Sequence, residues 1–200
     1  MALLALRKFG RKGWERFDEL LSRGEITVEQ CVAEQYAAIE AETRKEVTDY
    51  IDGYCRFRPG FTNLLSECKR QGVGFTVVSA GLDFCIRHAF RRAGATMPKL
   101  VCPKSSLAAG KGFSLSFPRH RCAEAKDFKE DVVMRLRKQG DNVVFIGDGA
   151  GDFNAAARAD FPFAVEGSPL GLMLADRGIP YKSVRTLTPV AKFVHRRGRP

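Results

Sequence analysis

Asn142-Val143-Val144-Phe145-Ile146-Gly147-Asp148-Gly149-Ala150-Gly151-Asp152 is a short apolar run that ends in a loop of glycines and two aspartates. An unbroken stretch of β-branched and aromatic residues describes a strand buried on both faces, as in parallel sheets. Glycines at its end let backbone approach a ligand closely. In an open α/β sheet, ligands sit beyond the carboxyl ends of the strands, where this loop would lie.

Working outward, the same alternation repeats. A helix is expected over 127–139, closed by Gly140, and another around Ala155-Ala156-Ala157. Phe161–Val165 and Lys182–Val184 read as the last strands. Upstream, Arg58-Pro59-Gly60 punctuates the chain before a helix over 60–71 with Phe61, Leu64, Leu65 and Cys68 on one face. Gly74–Ser79 reads as a buried strand, 83–93 as a helix and Leu100–Cys102 as a short strand. Phe113-Ser114-Leu115-Ser116-Phe117 alternates strictly, as a half-buried hairpin strand does, after a Gly110-Lys111-Gly112 turn. Strands alternating with helices through 60–185 predict a doubly wound, Rossmann-like α/β domain with a parallel sheet.

Residues 1–57 differ: they read as a small helical cap subdomain, leaving 58–200 as the α/β core with a hairpin near 100–120. Phe9, Trp14, Phe17, Leu20 and Leu21 recur at helical spacing before Gly24. Thr27 followed by Gln30 marks a capping box, with Val32, Tyr36 and Ile39 continuing the helix. A third helix over 43–54 would turn Val47, Tyr50, Ile51 and Tyr54 inward. Trp14, Phe17, Tyr36 and Arg56 are candidate cap contacts to a ligand, with core packing the competing role for the three aromatics.

Charge and cysteines narrow the function classes. The net charge is +10, yet residues 1–58 carry ten Lys/Arg against eleven Asp/Glu, so the positive excess lies in 59–200. Such a surface suits small phosphorylated ligands or nucleic acid, or serves solubility alone. His195–Pro200 reads as a frayed basic tail. The apolar run Met1–Leu6 is followed rather than preceded by Arg7 and Lys8, the reverse of a secretory signal. No apolar run approaches the about 20 residues needed to span a bilayer. A cytoplasmic protein is expected. Six scattered cysteines form no CxxC pair, which argues against structural zinc and predicts free thiols, several of them buried.

Three features could carry chemistry. Asp148 and Asp152 on a glycine-rich loop suit a hard cation such as Mg²⁺; equally, Asp152 could cap the following helix. Ser79, followed by Ala80-Gly81 at a strand end, could hold a phosphate oxygen with its hydroxyl and the neighbouring amides, or be an ordinary turn. Lys129 could neutralise a phosphate and nearby carboxylates, with Lys126 as the rival.

Taken in order, a strand ending in Ser79, a lysine at 129 and the Gly147-Asp148…Asp152 loop resemble motifs two to four of the haloacid dehalogenase superfamily. Arg58–Phe61 and Val77–Gly81 look like its phosphoserine phosphatase branch. The Phe113–Phe117 hairpin followed by Lys129 is similar to the methionine-salvage branch, which dephosphorylates 2-hydroxy-3-keto-5-methylthiopentenyl phosphate. The resemblance implies a Mg²⁺-dependent phosphomonoester hydrolase acting on a small phosphorylated metabolite. An aspartate would attack phosphorus, with a second aspartate two residues on as acid and base. Ser79, Lys129 and Asp152 would be catalytic; Ser79, Ala80, Gly81 and Lys129 would bind substrate; Asp148 and Asp152 would bind metal. Asp152 would act through water or by orienting Lys129. The family's first motif, a strand ending in Asp-x-Asp-x-Thr, has no counterpart here: the first aspartate is Asp18, alone in a helical pattern. A start assigned too late would explain this, with a first central strand missing and an exposed sheet edge. The alternative is a non-catalytic module that binds phosphometabolites or nucleic acid. Either way this chain is expected to turn over little or no substrate.

Overall fold

The computed structural model describes residues 2–108 and 112–197. The Gly110-Lys111 part of the expected turn and residues 198–200 of the expected tail lie outside them. In chain order the elements are α1 (Ala2–Phe9), α2 (Arg16–Ser22), α3 (Val28–Ala37), α4 (Arg44–Tyr54), α5 (Phe61–Arg70), β1 (Thr76–Val78), α6 (Asp83–Arg92), β2 (Lys99–Val101), β3 (Lys104–Ala108), β4 (Gly112–Ser116), α7 (Phe128–Lys138), β5 (Val144–Gly147), α8 (Phe153–Arg158), β6 (Phe161–Val165), α9 (Pro169–Asp176), β7 (Lys182–Val184) and α10 (Thr188–Arg197). They gather into two compact units, residues 1–56 with 77–119 and residues 57–76 with 120–200.

The first unit is built on helices. The Thr27 hydroxyl accepts from the Gln30 amide while the Gln30 side chain accepts from the Thr27 amide, so the expected capping box starts α3. In α4, Val47 and Ile51 are buried, but Tyr54 is 62% exposed. The inward placement expected for Tyr54 is therefore corrected: it ends the helix, where Cys55 turns extended, and its ring rests against Tyr50 at 4.9 Å. Leu6, Tyr36, Ile39, Val47 and Phe113 form the centre of the core. Phe113 comes from β4, which pairs antiparallel with β3, so the alternating stretch is a hairpin strand as expected. Gly112 makes its approach possible. Its φ is +68°, and a β-carbon there would lie 2.2 Å from the Ala37 carbonyl oxygen. β1 pairs with β2, and the Ser79 amide donates to the Val101 carbonyl at 3.0 Å.

The second unit carries a three-stranded parallel sheet in the order β5-β6-β7. Successive residues send side chains to opposite faces. Val144, Ile146, Phe161 and Phe163 pack on one side with Leu64 and Cys68 of α5 and Val190 and Val194 of α10. Phe145 and Ala164 pack on the other with Ala156 of α8 and Leu170 and Leu174 of α9. Helices on both faces make this the doubly wound architecture, with β5 an outer strand of its sheet. Two of these helices exceed the sequence reading. His195 and Arg196 are not a frayed tail: they continue α10, and His195 Nδ1 lies 3.0 Å from Glu67 Oε1 on α5. All six cysteines are free, and Cys31, Cys68, Cys85 and Cys122 are buried.

Candidate active site

Lys129 owes its position to the first turn of α7. Asp127 caps that helix: one carboxylate oxygen accepts from the Lys129 and Glu130 amides, at 2.9 Å each, and the other from Asn154 Nδ2 at 2.8 Å. Glu130, buried, accepts from the Lys126 amide at 2.7 Å and from Arg158 Nε at 2.8 Å. Asp131 accepts from the Arg121 and Cys122 amides, both at 2.7 Å, and from Arg135 Nε at 2.9 Å. Burial alone would raise the Asp131 carboxyl, but those amides and the Arg135 guanidinium bring it below the ordinary aspartate value. Asp127 at the cap and Glu130 and Asp131 in the first turn also complement the positive end of the helix dipole. The turn is thus pinned on several sides, and Lys129 projects from a fixed base.

Its ammonium donates to Asp152 Oδ1 at 2.6 Å, with side-chain exposures of 11% and 13%. The other oxygen of Asp152 accepts from the Asp148 amide at 3.1 Å and the Gly149 amide at 3.0 Å. Asp152 thus closes the loop that follows β5 and holds Lys129 at the same time. Ala150–Asp152 form a 3₁₀ turn leading into α8. Lys126 is exposed, so the buried ion pair distinguishes Lys129 from its rival. Asp148 is different again: its side chain is 66% exposed, and its nearest cation is Arg58, at 3.8 Å. Arg58 also donates to the Arg185 carbonyl at 3.4 Å.

The structure therefore brings Lys129, Asp148 and Asp152 together on one loop and one helix of the second unit. Ser79 belongs to the first unit. There its Oγ accepts from the Gly81 amide at 3.1 Å, just ahead of α6, so that amide is engaged inside the turn. Trp14 and Tyr36 are core residues, 8% and 1% exposed. Asp127, Asn154 and Arg58 were missed as parts of the site. Asp127 had a legible signal, an aspartate immediately before a helical run; the partners of Asn154 and Arg58 are distant in sequence.

A hard cation meets a limited donor set here. Both oxygens of Asp152 are committed, which leaves Asp148 as the available carboxylate. Among the described residues no group of three or more His, Cys, Asp or Glu is arranged to hold a metal. Mg²⁺ commonly binds through one or two carboxylates, completing its shell with waters and substrate phosphate oxygens. The loop fits that mode rather than a protein-made cage.

Comparison with known proteins shows the family and the fold. A model of the family described as haloacid dehalogenase-like hydrolase matches residues 2–157. The 2-hydroxy-3-keto-5-methylthiopentenyl-1-phosphate phosphatase of Exiguobacterium sibiricum is 26% identical over 144 residues, which cover 70% of this chain and 64% of that protein. The chain thus spans just under two thirds of that relative. A phosphatase of the same name from another Exiguobacterium strain is 21% identical over 196 residues, covering 95% of this chain and 89% of that protein. A substrate-bound phosphoserine phosphatase structure superposes with a TM-score of 0.64 at 17% identity, covering 91% of this chain and 84% of that one. A probable phosphoserine phosphatase from Vibrio cholerae gives 0.62 at 17% identity, covering 93% and 57%. Identities this low speak to the fold alone.

Proposed function

Since the chain belongs to the haloacid dehalogenase-like hydrolase family, we propose that it is built to hydrolyse the phosphomonoester of a small metabolite with Mg²⁺, in the cytoplasm. The observation that carries this is the largely buried Lys129–Asp152 pair, which joins the first turn of α7 to the loop after β5. In that geometry Lys129 presents a fixed positive charge to the transferring phosphoryl group, and Asp152 positions Lys129 and the Asp148 backbone rather than ligating metal itself. Asp148 would hold Mg²⁺, which when bound would supply charge neutralisation of the phosphate oxygens. The Ser79 hydroxyl, with Ala80 and Gly81 in its turn, takes a phosphate oxygen. Residues 1–57 serve as the cap. The names of the relatives suggest 2-hydroxy-3-keto-5-methylthiopentenyl 1-phosphate and phosphoserine as the first substrates to try.

The 200 residues contain no Asp-x-Asp-x-Thr. Hydrolysis through an aspartyl-phosphate needs a carboxylate nucleophile, so the 200-residue chain has little turnover by itself. A form carrying an Asp-x-Asp-x-Thr strand ahead of the cap should release phosphate from at least one member of a phosphomonoester panel with Mg²⁺, and Asp148→Ala should abolish it. No release across the panel would favour the second reading, a module that binds phosphorylated metabolites without turning them over. Robust Mg²⁺-dependent hydrolysis by the 200-residue chain, lost in Asp148→Ala, would overturn the expectation of low turnover.

A further inference from the structure

The outer strand β7 and helix α10 line an open hollow in the second unit, with a volume of about 480 Å³. Its wall includes Lys182 from β7 and Pro189, Lys192, Phe193 and Arg196 from α10. The α10 residues stand at i, i+3, i+4 and i+7, so they form one stripe, with Lys192 and Arg196 a single turn apart. The opposite stripe, with Val190 and Val194, is spent on the core. The Lys182 ammonium stands 4.5 Å from the centroid of the Phe193 ring and 5.7 Å from that of Phe163. Ring carbon therefore replaces water on one side of it.

Among the described residues no carboxylate forms an ion pair with Lys182, Lys192 or Arg196, while neighbouring cations do have partners. Arg185 is bound through two nitrogens to Glu166. Arg70 is paired with Glu67. Ordinary reasons exist for each cation separately: lysine on an outer strand discourages strand addition, and cations near a helix C-terminus suit its dipole. Neither reason brings all three around one concavity, where each charge raises the cost of the others. A bound anion removes that cost.

We propose that the β7–α10 hollow binds a small, multiply charged phosphoanion of the diphosphate class. Lys182 and Lys192 act as point charges, and Arg196 offers the planar fork that matches phosphate oxygens. The hollow is open to solvent but small, which favours a small ligand over a nucleic-acid strand, since the latter needs a groove several nucleotides long. The site is separate from the Asp148 loop: β6 lies between β7 and β5, a lateral offset of roughly 10 Å from strand spacing. It does not depend on the phosphatase reading.

Inorganic pyrophosphate titrated into the full chain in low-salt buffer, without Mg²⁺, tests it. Calorimetry should show saturable binding, and amide resonances of Ser183, Val184, Lys192 and Phe193 should shift. In Lys182→Gln/Lys192→Gln/Arg196→Gln the affinity should fall about tenfold or more. The exposed single reversal Lys192→Glu, checked for an unchanged circular dichroism spectrum, should weaken it in the same direction. Equal affinity in the variants, shifts centred on Gly147–Asp152, or no binding at millimolar pyrophosphate would each overturn the proposal. Oligothymidylate that displaces pyrophosphate, with affinity rising with length, would overturn it in favour of nucleic acid.

Discussion

A β-carbon at residue 147 would lie 2.8 Å from Asp152 Oδ2 and 2.9 Å from the Asp152 β-carbon. Those contacts are too short to survive, and the obstacle is the side chain that holds both the loop amides and Lys129. Gly147→Ala should therefore push Asp152 off its two amide donors and cost about 1–3 kcal/mol, read as a lower urea midpoint. An unchanged midpoint would mean the loop has slack that the distances deny. Lys129→Met removes one partner of a buried pair and should cost about 3 kcal/mol in the same measurement. Asp131 sets a pH dependence. Its folded carboxyl titrates below the ordinary 3.8, so its stabilising contribution is complete above that value and drains as pH falls through the folded one. Asp131→Asn should flatten the acid limb of stability against pH; an identical limb would discount the amide and Arg135 contacts. Burial pushes the Cys85 thiol up to about 12, with the Asp83 carboxylate adding to the rise. The native protein should leave Cys85 unalkylated by iodoacetamide at neutral pH and expose it in urea. At this scale the sequence was legible where chemistry is local. Asp148, Asp152 and Lys129 stand out by residue type and by the glycines around them. The Arg58–Asp148 and Asn154–Asp127 contacts join residues 90 and 27 positions apart, and no local pattern announces them.

Elements were readable when their pattern had one period and their ends had a stop. The α7 helix runs from a capping aspartate to Gly140, whose φ of +88° no other residue type adopts cheaply. The apolar stretch before Gly147 reads as a strand and is one, but its residues are half-buried rather than buried on both faces, because β5 is an outer strand of its sheet. The α3 start was readable as well, and it offers a test: Thr27→Ala should cost about 1 kcal/mol by chemical denaturation, because it frees the Gln30 amide and disrupts the reciprocal bond. No loss would show that other contacts set the start of the helix. By contrast α9 begins Pro169-Leu170-Gly171, which reads locally as a turn. In the fold, proline occupies the first helical turn behind the Ser168 cap, where its missing amide costs nothing, and Gly171 is buried inside the helix. The α10 helix was hidden by its basic end, because Val190 and Val194 read as a core stripe once α5 is beside them. Tyr54 was misjudged for the converse reason: it keeps the helical period, but the helix ends at it.

For the whole molecule, chain order and spatial order part company. Each unit is assembled from two stretches separated by a piece of the other. In the second, α5 lies against α10, the Leu187 amide donates to the Pro59 carbonyl at 2.8 Å, and a β-carbon at Gly60 would touch the Thr188 amide at 2.6 Å. Truncation after Val184 would strip Leu187, Val190, Ala191 and Val194 from that core. It should cost on the order of 5 kcal/mol and abolish a single cooperative unfolding transition; a truncated chain that melts like the intact one would show that α10 is dispensable. There is also a consequence in time. During synthesis α5 leaves the ribosome well over a hundred residues before its partner helix exists. Its apolar face, with Leu64 and Cys68, must wait exposed until α10 has been made. The closing step in the folding of this unit is therefore late, and the nascent chain should depend on chaperone shielding while α5 waits for its partner.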